Sequence, residues 1–185
     1  SAKNFAVDAK FNLQQISDLL RNFKILPATT RLAGNAHLKT SGTLDAQVLS
    51  LNSTRVDAHN FQYRDGQKLL REKHLILQTK CKLNFANRSA GLAPININGA
   101  AGTITIPQLT VSDWSDFQKD MKTQAQAQLD LAKLFQAYGD FIELPPKTRV
   151  AGKGQFDLDL DFSSKTAQFL KVRADLSPFQ LTSET

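Results

Sequence analysis

The side chains that could bind a metal or act as nucleophiles are few and scattered in this sequence. The three histidines, His37, His59 and His74, lie far apart, and none has a second ligand at zinc-site spacing. The single cysteine, Cys81, excludes an intramolecular disulfide or a thiolate cage within these 185 residues. It stands at an apolar position of a strand pattern, which is typical of a small core residue. We therefore predict no metal centre, no cofactor and no catalytic residues.

A run of alternating aspartates is the one pattern that could suggest calcium binding. Asp157, Asp159 and Asp161 alternate with apolar residues, whereas an EF-hand loop needs a central glycine and a closing glutamate. Strict alternation instead predicts an extended strand with its carboxylates in solvent. The segment Gly152-Lys153-Gly154 lacks both the Walker lysine spacing and a following helix, so we predict no phosphate loop.

Positive charge is spread along the chain. The 23 Lys and Arg exceed the 17 Asp and Glu, which gives a net charge of +6 that would suit an anionic partner. The densest basic patch is Lys68, Arg71, Lys73, Lys80, Lys82 and Arg88. No aromatic residues alternate with these side chains, as a nucleic-acid stacking platform would require. A solvated polar face is favoured, and nucleic acid is not expected as a partner.

The elements that would position any site are mostly strands of alternating polarity. Phe156, Leu158, Leu160 and Phe162 alternate with the aspartates, so one face is apolar and the other is wet. The same pattern recurs over 75–85, at Ile95 and Ile97, at Ile104 and Ile106, and over 5–13. We predict eight to ten antiparallel strands, several of them long.

A gap-free internal repeat organises the chain. Residues 11–34 align with residues 129–152 at an offset of 118 (129 − 11), which keeps Leu-Pro, Thr-Arg and Ala-Gly pairs in register. In each copy Asn12 or Asp130 suits a helix N-cap, apolar residues follow at helical spacing, and proline ends the helix. A further short helix is expected from Ser112. We predict one repeat unit over 1–128 and the start of the next over 129–185, continuous with the same sheet.

Such a sheet must bury its apolar face, and the helices are too few and short to cover it. The sheet could close into a barrel, fold over as a sandwich, or curl into a trough that holds an apolar molecule. Composition favours the sandwich, whereas the repeat favours an elongated, stackable structure. We predict a mainly β fold of long antiparallel strands in a curled, taco-like sheet or groove with two or three short helices.

The stretch from Ser112 to Leu160 resembles the bacterial AsmA-like family, whose AsmA-type and TamB-type members are bridge-like lipid transfer proteins. The shared pattern is a strand that ends in an acidic-Leu pair, a short "DLxxL" helix, a Leu-Pro or Pro-Pro break, and a "xxGxxxxxL" strand. Residues 11–44 fit the same pattern.

The resemblance implies a periplasmic segment, cut at both ends, of a longer protein anchored in the bacterial inner membrane. It implies that an apolar β-groove holds or conducts phospholipid acyl chains towards the outer membrane. The partners would be phospholipid and neighbouring repeats, with membrane contact only through the missing parts of the parent protein. The expected groove-lining residues are Leu75, Leu77, Leu83, Phe85, Ile104, Ile106, Phe156, Leu158, Leu160 and Phe162.

Two other functions fit the same pattern. A β-rich scaffold in outer-membrane assembly would pair its edges with neighbouring repeats or a partner and would purify without lipid. A sandwich-type accessory domain of an enzyme would bind glycan on exposed aromatic platforms, yet Tyr63, Trp114 and Tyr138 show no common face.

Overall fold

The computed structural model describes residues 2–24, 26–113, 122–141, 148–161 and 168–183, and most of them are in strands. The ten strands are Lys3–Asn12 (β1), Thr30–Leu44 (β2), Val48–Asp65 (β3), Lys68–Asn84 (β4), Ser89–Gly99 (β5), Gly102–Ile106 (β6), Leu109–Val111 (β7), Lys122–Asp130 (β8), Thr148–Asp161 (β9) and Gln168–Ser183 (β10). The helices are Leu13–Asn22 (α1) and Leu131–Tyr138 (α2), and a 3₁₀ turn, Gly139–Phe141, follows α2. This confirms the predicted mainly β fold with short helices. Most of the helix expected from Ser112 falls outside the described residues.

All ten strands belong to one antiparallel sheet. Its order is β1-β2-β3-β4-β5-β6-β8-β9-β10, and β7 pairs with β5. In the described part of the chain β1 and β10 pair on one side only, so the sheet has two edges and does not close on itself. Bulges interrupt the pairs β2–β3, β3–β4, β4–β5 and β9–β10. A bulge bends its strand and increases the local twist, so the strands bend and twist at these positions.

Each helix begins where the sequence places its N-cap. The Asn12 side chain accepts hydrogen bonds from the backbone N–H of Gln14 (2.9 Å) and Gln15 (3.3 Å). Asp130 accepts from the backbone N–H of Lys133 at 3.1 Å. These bonds satisfy N–H groups that have no partner in the first helical turn. Leu13, which the alternation assigns to the strand, is the first residue of α1.

The structural elements repeat with the period of the sequence. Shifting β1, α1, β2 and β3 by 118 residues brings them onto β8, α2, β9 and β10, so that the start of β2 at residue 30 meets the start of β9 at residue 148. Gly34 and Gly152 are equivalent, and both have positive φ, +112° and +130°. At both sites a Cβ would lie within 2.6 Å of a carbonyl oxygen on the neighbouring strand, so glycine is required there. The boundary between residues 128 and 129 stays a prediction. The recurrence makes β8 the counterpart of β1, so this boundary would fall within a strand.

The second helix lies against the free edge of the β3–β4 hairpin, beyond the point where β5 stops pairing with β4. The backbone N–H of Leu69 donates to the Asp140 carboxylate at 3.1 Å. The Phe141 ring lies 5.8 Å from the Tyr63 ring, and the Lys68 ammonium lies 5.9 Å above it. The second copy of the repeat is thereby joined to the hairpin of the first by polar and aromatic contacts.

Candidate functional site

One face of the sheet is apolar from the first strand to the last. Residues that pair directly across antiparallel strands project from the same face, so the register shows which side chains are neighbours. One such row, here called the apolar row, consists of Ala9, Leu38, Val56, Leu77, Ile97, Ile104, Ala127, Phe156 and Ala174. It crosses nine strands without a polar residue.

Adjacent rows widen this surface, which we call the apolar face. One neighbouring row carries Val7, Ile95 and Ile106 in the first six strands, and Leu158 and Val172 in the last two. Two of its polar members satisfy one another, since the hydroxyls of Thr40 and Thr54 are 2.8 Å apart. The face can therefore stay dry without leaving these two hydroxyls unsatisfied.

The opposite face is polar along the adjacent row. That row consists of Asp8, Lys39, Arg55, Gln78, Asn96, Thr105, Gln126, Asp157 and Arg173. Arg55 donates two hydrogen bonds to Asp57, of 2.7 and 2.8 Å, and these bonds hold the pKa of Asp57 below its ordinary value. The sheet therefore separates a charged, hydrated surface from an oily one.

No described part of the chain packs a second layer over the apolar face. The buried hydrophobic side chains among the described residues are mostly alanines, and the largest side chain that is fully buried is Ser17. Leu77, Ile97, Ile104 and Phe156 stay partly exposed. A sandwich would interdigitate two such faces and bury their large side chains. The described part of the chain contains one sheet and no core of that kind.

The total surface agrees with an open sheet. The chain exposes 12443 Å². A compact monomer of this mass would expose about 8,900 Å² by the usual scaling of area with size. Several of the exposed large hydrophobic residues lie on the apolar face, among them Val7, Leu44, Val172 and Leu176. Part of the exposed area is therefore apolar surface on this face.

The structure brings eight of the ten predicted groove residues onto the apolar face. They are Leu75, Leu77 and Leu83 on β4, Ile104 and Ile106 on β6, and Phe156, Leu158 and Leu160 on β9. Phe85 follows β4 in a turn and is 47% exposed, and Phe162 lies outside the described residues.

Other members of the apolar row were not among the predicted lining residues. Leu38, Val56 and Ile97 are equally central to it. Ile97 carries the alternation signal that could have found it. The residues two positions from Leu38 and from Val56 are only Ala or Thr, so no run of large apolar residues marks the alternation there.

No protein-family model, curated protein or solved structure matches this chain. Neither described helix is long and apolar enough to span a bilayer. The function has to be inferred from the geometry of the sheet.

The three histidines and the cysteine lie on opposite faces of the sheet. Within the described ranges, no group of three His, Cys, Asp or Glu side chains is placed to hold a metal ion. The sequence does not show that His59 and His74 come together, and their rings stack 4.4 Å apart beside Asp57 on the polar face. Cys81 lies on the apolar face, where burial raises the pKa of its thiol and disfavours the nucleophilic thiolate.

Glu72 is a buried carboxylate that the sequence does not reveal, because it stands between Arg71 and Lys73 in an apparently solvated run. It is 2% exposed and accepts hydrogen bonds from the backbone N–H of Ala100 (3.1 Å) and the hydroxyl of Tyr138 (3.2 Å). Burial, together with the Glu72 carboxylate, raises the pKa of Tyr138 to about 12. Both partners of Glu72 are neutral, and its bonds connect α2 and the β5–β6 turn to β4. Its role is structural.

Proposed function

We propose that the apolar face holds or conducts the acyl chains of phospholipid, as part of a periplasmic segment of an AsmA-like protein anchored in the inner membrane. The observation that carries the proposal is the apolar row, which crosses nine strands and is left partly exposed. Each square ångström of apolar surface removed from water contributes about 25 cal/mol. An apolar ligand on this face would therefore be bound without any directional contact.

The shape of the surface favours a long, thin ligand. Neighbouring strands are about 4.8 Å apart, so the eight steps between nine strands give the apolar row a length of roughly 38 Å. Hydrocarbon chains laid end to end across the strands can use that whole length, whereas a compact molecule would use a small part of it. On this proposal the headgroups stay in water, where the net charge of +6 suits anionic lipids.

A scaffold without lipid is the second candidate. The outer edges of β1 and β10, which pair with no strand among the described residues, favour it. An unpaired edge strand is a template for pairing with another chain. A scaffold would need these edges but would not need an uncovered apolar row. Lipid content therefore separates the two functions.

The test is to express the chain in the bacterial periplasm, purify it without detergent, and analyse its organic extract by mass spectrometry. The proposal predicts phospholipid in the wild type and much less in Leu158→Glu, because that change places a charge on the apolar face. Gln126→Glu adds the same charge to the polar face and should leave the lipid content unchanged. A folded wild type without phospholipid would favour the scaffold.

A further inference from the structure

The first helix exposes an apolar patch that nothing in the described part of the chain covers. Phe23 is 69% exposed and Leu19 is 50% exposed. Leu19 lies in the last turn of α1 and Phe23 is its C-cap, and helical spacing places both with the apolar positions of the helix. Large apolar side chains exposed together on one element mark a surface for a partner.

The internal repeat shows what covers this patch in the second copy. The residue equivalent to Phe23 is Phe141 (23 + 118), and it is partly buried. Phe141 contacts Tyr63 and Lys68, at 5.8 Å and 5.9 Å. Those two residues belong to the β3–β4 hairpin of the preceding copy. We therefore expect the helix of each copy to pack against a β3–β4-like hairpin of the copy before it.

The outer edge of β1 also indicates a preceding unit, and it does so independently of the helix patch. In the second copy, residues 126–129 of β8 pair with residues 102–105 of β6, which belongs to the preceding copy. The equivalent residues of β1 are 8–11, and they pair with β2 on one side only. The edge of residues 8–11 and the exposed patch of α1 are thus equivalent to two surfaces of the second copy that the preceding copy covers. One partner could therefore pair with the edge and also cover the patch.

We propose that α1, through Leu19 and Phe23, and the outer edge of residues 8–11 form a docking surface for a preceding unit of the same repeat. That unit would supply a β6-like strand to the edge and a β3–β4-like hairpin to the helix. A second copy of this chain does not fit, because its own α2 and 3₁₀ turn already cover its hairpin. The docked unit would extend the apolar row beyond Ala9. This inference rests on the repeat and does not depend on lipid binding.

The test adds one period in front of the chain. Residues 1–121 are placed directly before residue 4, since residue 122 is the equivalent of residue 4 (122 − 118), and both copies carry Cys81→Ser. Tyr63→Cys in the added unit is combined with Phe23→Cys in the following unit, and a short bis-maleimide crosslinks thiols that lie close together.

The positive control is the original chain with Tyr63→Cys and Phe141→Cys. The negative control is the tandem in which Asn87→Cys, at an exposed turn, replaces Phe23→Cys in the following unit.

Docking predicts that the tandem pair crosslinks as efficiently as the positive control and about tenfold or more above the Asn87 pair. A tandem pair that crosslinks only at the level of the Asn87 pair, while the positive control reacts, would overturn the proposal. Separate single-cysteine chains, one with Tyr63→Cys and one with Phe23→Cys, should not crosslink. Efficient crosslinking between them would also overturn it, because a second copy would then be the partner.

Discussion

Glu72 shows how a single carboxylate can position an element of this sheet. Both of its oxygens are occupied, one by Tyr138 of α2 and the other by the backbone of Ala100. Removing one partner of a buried hydrogen-bonded group leaves the other unsatisfied, which costs about 1–3 kcal/mol. Glu72 therefore holds the helix against a strand edge that would otherwise be open.

The first prediction concerns the titration of Tyr138. In Tyr63→Phe the only tyrosine left is Tyr138, and its tyrosinate absorbance should appear with a midpoint near pH 12, above the ordinary value of 10.0. The native state keeps the phenol protonated, so its stabilising effect is complete below pH 10 and is lost as the pH rises towards 12. In Tyr63→Phe/Glu72→Gln the midpoint should move down towards 10. A midpoint near 10 in the first variant, while circular dichroism still shows the folded sheet, would contradict this.

Residue identities alone predict some local geometry and miss the rest. The Ala-Gly pair retained by both copies reflects a backbone requirement, the positive φ of Gly34 and Gly152. The N-caps Asn12 and Asp130 were recognisable because their side chains act on neighbouring backbone. Glu72 and the His59–His74 stack depend on tertiary contacts, and a single sequence carries no signal for those.

At the scale of elements, the alternation of polarity correctly indicated strands over parts of β1, β4, β5, β6 and β9, because side-chain direction in a strand depends on position alone. The register between strands was not predictable in the same way. It depends on bulges such as the one near Leu51 and Thr54, whose sequence carries no glycine or proline to mark it. The apolar row is a property of that register, so only its separate segments could be seen in the sequence.

The second prediction compares two equivalent phenylalanines. Phe141→Ala should lower the free energy of unfolding by about 1–2 kcal/mol, less than for a fully buried Phe, because Phe141 joins its turn to Tyr63 and Lys68. Phe23→Ala should change it by no more than about 0.5 kcal/mol in this chain, since Phe23 is mostly exposed. Urea unfolding measures both. Equal losses of unfolding free energy in the two variants would contradict this prediction, because Phe141 and Phe23 would then contribute equally to stability.

At the scale of the whole molecule, the sequence could not decide between a closed and an open sheet. Residues such as Leu77 and Ile104 alternate in the same way whether a second sheet or a ligand covers them. What decides is the absence of large, fully buried side chains in the described residues, together with the exposed area of 12443 Å². Both depend on how all the strands are arranged together.

The third prediction is therefore about overall dimensions. A compact chain of 185 residues would have a radius of gyration of about 16 Å. The open sheet predicts a clearly larger value in small-angle X-ray scattering from the monomer. A value near 16 Å would show that the sheet folds over on itself in solution.

Site-specific photocrosslinking in bacterial cells tests the central claim most directly. A benzophenone amino acid is placed at Leu77 or Ile104 on the apolar face and, as matched controls, at the adjacent Gln78 or Thr105 on the polar face. After irradiation, mass spectrometry identifies the adducts. Lipid held on the apolar face predicts phospholipid adducts at Leu77 and Ile104 and none at Gln78 and Thr105. Folded protein with no lipid adduct at the two apolar positions, or with equal adducts on both faces, would contradict the proposed function.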